Sequence, residues 1–75
     1  MAKRTIRIGR AWINQIFKAK AATTGGTLRR KKASVEKFAS EKLLIEEVKR
    51  RDFHLITIGD QYVILCNKGR IDLIL

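Results

Sequence analysis

The sequence predicts one α+β domain: an N-terminal basic helical region with a short strand before it, a second amphipathic helix, and a C-terminal three-stranded antiparallel meander. Three observations predict it. Apolar residues recur at helical spacing over residues 10 to 22 and again over 41 to 51. After Asp52 the period changes to that of strands, with three runs rich in β-branched and aromatic residues. The chain has 75 residues and no proline, a length that supports a single domain over residues 1 to 75. Folding at this size buries only about 60% of the surface that the unfolded chain exposes, so a second copy of the chain is a natural source of added stability.

Thr5 to Ile8 alternates as a short strand does. Over residues 10 to 22, Ile13, Ile16, Phe17 and Ala21 share one side of a helix, with Arg10, Asn14 and Lys18 on another and Trp12 at the border. Thr23-Thr24-Gly25-Gly26 stops that helix, because glycine accepts the left-handed conformation of a C-terminal cap. Residues 27 to 39 fit a strand, a loop or a further helical stretch. A helix running unbroken from 35 to 48 would spread its apolar side chains almost all the way round, which places a break near Ser40.

Ser40 is the expected N-cap of the second helix, residues 41 to 51, with Glu41 at the positive end of its dipole and Leu44, Ile45 and Val48 on one stripe. Glu46 with Arg50 and Glu47 with Arg51 stand at i, i+4 spacing, so this helix neutralises itself. The three strands of the meander are expected at 53 to 58, 61 to 66 and 71 to 75. Gly59-Asp60 suits a type II′ turn, and Asn67-Lys68-Gly69-Arg70 a longer one. Leu55, Val63, Leu65, Leu73 and Leu75 compete with Ile56, Ile58, Ile64 and Ile74 for cover. One face of the sheet takes the helices and the other needs something more.

The net charge is +10, and all of the excess lies in residues 1 to 32, which hold ten Lys and Arg and no acid. Residues 33 to 75 carry seven cations against seven anions. Such asymmetry is the footprint of a surface that meets phosphate or another polyanion. The densest run is Arg29, Arg30, Lys31 and Lys32, with Lys3, Arg4, Arg7, Arg10, Lys18 and Lys20 as further contacts. Arg forks match phosphate oxygens, and Gly25-Gly26 lets the backbone approach a ligand. The adjacent glycines lack the spacing of a nucleotide-hydrolysing phosphate loop, which excludes that class. The bland alternative is that the run merely keeps a segment hydrated.

These readings point to a non-enzymatic nucleic-acid-binding domain, for DNA or RNA, that works through phosphate contacts. The alternative is a small protein-interaction subunit whose basic face meets an acidic protein. A homodimer through the C-terminal strand or the open sheet face is expected with either, since residues 71 to 75 carry Asp72 as their only charge. No cofactor and no metal site is expected, because no cluster of His and Cys is present. The longest apolar run is far short of the roughly 20 residues that span a bilayer, and the N-terminus lacks an apolar signal core, so a cytoplasmic location is expected.

Other residues read best as structural. Trp12, beside Ile13, Ile16 and Phe17, is expected to be partly buried in the core rather than free to stack on a base. Asn14 and Gln15 can read base edges only if their helix enters a groove. Tyr62 is expected in cross-strand packing, and Cys66, the single cysteine, as a buried thiol. His54 with Asp52 and Asp60 invites a third reading, cleavage of an RNA phosphodiester. The order of a helix followed by three antiparallel strands resembles small RNA-cleaving toxins of bacterial toxin–antitoxin pairs. In the double-stranded-RNA-binding-like toxins a histidine lies close to the hairpin, whereas Gly59-Asp60-Gln61-Tyr62 has none.

Overall fold

The structure is a computed structural model that describes residues 8–75. It contains four helices and three strands in the order α1 (Arg10–Ile16), α2 (Lys20–Thr24), β1 (Thr27–Lys31), α3 (Lys32–Phe38), α4 (Glu41–Arg50), β2 (His54–Ile58) and β3 (Gln61–Leu65). The fold is α+β with one antiparallel sheet in the order β1-β3-β2.

The β2–β3 hairpin forms where the two apolar runs flank Gly59-Asp60, pairing His54 with Leu65 and Ile58 with Gln61. Gly59 has φ 58 while Asp60 is not among the residues with positive φ, the pattern of a type II′ turn. The third strand is not the one that the sequence suggested. Residues 71 to 75 form no strand, and the central strand β3 pairs instead with β1, Thr27 opposite Leu65 and Lys31 opposite Gln61. The reason lies in the number of faces each segment can leave wet. Residues 71 to 75 are apolar on both sides and would need cover above and below. The TLRRK of β1 needs to bury only Leu28, and its long cationic side chains suit an edge.

The first helix also differs from expectation. A helix over residues 10 to 22 is interrupted: α1 ends at Ile16, Ala19 is extended (φ −63, ψ 149), and α2 starts afresh. The interruption lets α2 end on Gly25 in the left-handed conformation (φ 78), with its N–H donating to the Ala21 carbonyl, so that the chain enters β1 in register. Gly26 is needed for close approach, since a Cβ there would lie 3.0 Å from that of Ala21. The strand expected over residues 5 to 8 lies outside the described residues except for Ile8, which is exposed and not in a strand.

The break near Ser40 is present: α3 ends at Phe38, and the Ser40 hydroxyl accepts the Leu43 N–H at 3.1 Å as the N-cap of α4. At its other end Asp52 takes φ 60, its N–H bonds the Lys49 carbonyl and the Phe53 N–H bonds the Val48 carbonyl. That is the two-bond cap of a Schellman motif, with aspartate where glycine is usual. The expected Glu46–Arg50 pair is absent: Glu46 bonds Arg10 at 3.0 Å instead, and Glu47 takes both Arg50 and Arg51.

The core lies between the helices and one face of the sheet. Ile13, Ile16 and Phe17 from α1 and its end, Val35 from α3, and Leu44 and Val48 from α4 meet Leu28, Tyr62, Ile64 and Cys66. Each fully buried aliphatic or aromatic side chain contributes about 1.5–3 kcal/mol. Strand register pairs Leu55 with Ile64 on the covered face and Ile56 with Val63 on the open one. Leucines and isoleucines are therefore shared between the faces rather than sorted.

Candidate nucleic-acid interface

The basic run sits on a strand, and this decides where each cation points. Successive side chains of a strand face opposite sides of the sheet. Leu28 is buried on the covered face, so Arg30 shares that face, while Thr27, Arg29 and Lys31 are exposed on the open one. Lys32 opens α3 with its Nζ 5.9 Å from the centre of the Tyr62 ring. The run therefore does not form one patch on one face; it wraps an edge.

Backbone bonds fix which atoms that edge presents. Cys66 N–H donates to the Gly26 carbonyl at 2.9 Å, and Lys32 N–H to the Asp60 carbonyl at 2.8 Å. Because bonded and unbonded pairs alternate along an antiparallel ladder, the backbone groups of Thr27, Arg29 and Lys31 point outward. One of them is capped locally, since Arg30 Nη1 donates to the Arg29 carbonyl at 2.6 Å.

On the covered side, Arg30 borders a cleft of about 360 Å³ together with Trp12, Gln15, Ile16, Lys18 and Ala19. The cleft contains two cations and no acid. Trp12 is half-buried and stacks on Phe38, with ring centres 5.5 Å apart and planes at 24°. Its expected partial burial is thus present, yet it also lines the cleft. Gln15 lines it too, and Asn14 does not. The sequence carried only a faint sign of this cleft: Trp12 at the border of the apolar stripe, one turn of helix from Gln15 and Ile16.

The open face is built differently. Arg29 and Lys31 flank Val63, which is 3% exposed although it lies outside the main core, and Ile56 and Ile58, which are 41% and 52% exposed. An apolar strip thus runs beside the cations of β1.

Four of the acids are engaged elsewhere, whereas Glu36 and Asp60 make no ion pair among the described residues. Glu46 holds Arg10, and Asp72 holds Arg70 at 2.8 Å. Glu41 accepts a 2.6 Å bond from the Tyr62 hydroxyl, and this bond, with burial, pushes the Tyr62 pKa up to about 12. Glu47, 5% exposed, is held below the usual carboxylate range by hydrogen bonds from Arg50 first and Arg51 next, against the opposing effect of burial. Among the described residues, Lys18, Lys20, Arg29, Arg30, Lys31 and Lys32 make no ion pair. Arg10 is committed to Glu46. Lys3, Arg4 and Arg7 lie outside the described residues.

His54 does not meet the carboxylates named with it. Its Nε2 lies 2.5 Å from the Gly69 carbonyl oxygen, Asp52 caps α4, and Asp60 lies at the far end of the hairpin, roughly 15–20 Å along the strand. Cys66 is buried, and burial pushes its thiol up, only partly offset by Arg51. Among the described residues no group of His, Cys, Asp and Glu is arranged to hold a metal ion, and no helix is long and apolar enough to cross a membrane.

The fold and this edge define a class: a small α+β domain whose sheet ends on a cationic strand. The chain matches no protein-family model, no curated protein and no solved structure.

Proposed function

We propose that the domain binds nucleic acid without catalysis, by seating the phosphate backbone along the β1 edge. One observation carries the reading: six cations gathered at β1 and the adjoining α1–α2 corner lack an ion-pair partner among the described residues, while the carboxylates of α4 are occupied elsewhere. Unneutralised cations at one edge repel one another, and phosphate relieves that repulsion. The cleft beside Trp12 and Gln15 offers room for part of one nucleotide next to Lys18 and Arg30. A reducing, cytoplasmic compartment suits the free thiol of Cys66.

Binding to DNA and RNA at several salt concentrations tests the reading. Six neutralised phosphates give a log–log slope of about −5 on duplex DNA and about −4 on single strands. A slope near zero overturns it. The second reading, an acidic protein as partner, draws on the outward backbone groups of Thr27, Arg29 and Lys31, which suit addition of a strand. It predicts weak retention on nucleic acid at physiological salt and tight retention of an acidic peptide.

A further inference from the structure

The sheet has a second edge, and it is the opposite of the first. Since Cys66 bonds toward β1, alternation turns the backbone groups of Ile64 and Tyr62 toward β1 and those of Gln61, Val63 and Leu65 toward β2. Their partners in β2 are Ile58, Ile56 and His54, so Leu55 and Thr57 direct their N–H and C=O groups outward. β2 itself carries no Lys, Arg, Asp or Glu: it reads HLITI, with Ile56 and Ile58 exposed. Between it and α4 runs a largely apolar groove of about 420 Å³ bordered by Ile45, Val48, Phe53 and Leu55, and also by Lys49 and His54.

The segment that follows β3 matches this edge. Residues 71 to 75 read IDLIL, and Leu73 and Ile74 are 91% and 90% exposed. Ile71 already stands at the rim of the groove, and the Gly69 carbonyl meets His54 at the start of β2. Beyond Ile71 the chain leaves its own body, so the apolar residues that would fill the groove are held away from it. The strand propensity of IDLIL, the outward ladder groups of Leu55 and Thr57, and the groove itself are complementary parts that one copy does not join.

We infer that two copies of the chain join them reciprocally, residues 71 to 75 of each adding as a fourth strand to the β2 edge of the other. Leu73 enters the groove of the partner, and Ile74 covers Ile56 and Ile58. The exchange is isologous and closes as a dimer. It leaves the β1 edge free in both copies.

Sedimentation of nuclease-treated protein at high salt tests this, using the full chain. The wild type is expected to be a dimer. Leu73→Asp alters only the exposed segment, and Thr57→Pro removes an outward N–H without loss of a bond to β3. Each is expected to weaken dimerisation by roughly a hundredfold or more, since both junctions of a symmetric pair are lost. Mixed together, the two variants should form a heterodimer, because an intact segment from one meets an intact edge from the other. Should Thr57→Pro lower the melting temperature, Ile56→Lys at an exposed position takes its place. A wild type that stays monomeric at the highest attainable concentration overturns the inference. So do variants that remain dimeric, which put the interface elsewhere, and a mixture that associates no better than its components.

Discussion

Strand alternation splits the basic run between two faces, which gives two pairs of cations that can be tested separately. Arg29 and Lys31 stand on the open face, and Arg30 joins Lys18 at the cleft. A nucleic acid that wraps the β1 edge touches both pairs. Each lost phosphate contact flattens the salt slope on duplex DNA by about 0.9, and at 0.1 M salt it weakens binding roughly eightfold. The double variant Arg29→Gln/Lys31→Gln and the double variant Lys18→Gln/Arg30→Gln should therefore each lose about sixtyfold in affinity and about two units of slope. All four changes together should leave a slope near −2. Fluorescence anisotropy with a labelled duplex at several salt concentrations gives both quantities, and circular dichroism confirms that the fold persists. Loss confined to one pair refutes edge wrapping and assigns binding to one face. Slopes unchanged in both variants remove β1 from the interface altogether.

Two further outcomes concern the scaffold that holds this edge. Glu47→Gln replaces an acceptor of two guanidinium groups; because Arg50 is two-thirds exposed, its share is discounted, and the expected loss is about 1–2 kcal/mol at neutral pH by chemical denaturation. The folded-state pKa of Glu47 is depressed, so this stability is fully present above the ordinary carboxylate value and vanishes as pH falls through the folded value; the gap between variant and wild type should close in acid, and a gap that persists there refutes the ion-pair account. At Asp52, φ 60 is a conformation that β-branched residues resist, so Asp52→Val should cost about 1–2 kcal/mol and lower the melting temperature by roughly 5–15 °C, while Asp52→Gly should be close to neutral. Equal melting temperatures for Val and Gly would refute the strain.

What was legible in the sequence had local causes. Ser40 reads as a cap because its hydroxyl reaches an N–H three residues on, and Gly59-Asp60 reads as a turn because two residues between apolar runs leave one geometry. What was not legible was decided by distant partners. Nothing in TLRRK marks a strand: one leucine among four polar residues gives no period, and the segment becomes β1 because β3 has a second side to satisfy and Leu28 fits over the core. The run over residues 17 to 19 holds no glycine or proline, and its alanine favours helix. The break there comes from the need to bring Gly25 and Gly26 to the start of β1. The positive charge was fully legible as a quantity, yet its division between two faces needed the strand to be known first.

The two edges of the sheet show why charge and apolar residues were separated along this chain. An unpaired strand edge invites any passing strand, and long cations are the usual protection. On β1 Arg29, Arg30 and Lys31 supply that protection against any strand that is not acidic, so the bland role of the run and its proposed role coincide: side chains that deter a neutral or basic strand are also those that attract phosphate. Edge protection alone would call for the same treatment of β2, whose outward groups are equally free. There the chain places isoleucines and threonine instead, and beyond β3 an apolar segment that its own core does not take up. A sheet guarded on one edge and open on the other fits the two partners proposed above, a polyanion along β1 and a strand along β2.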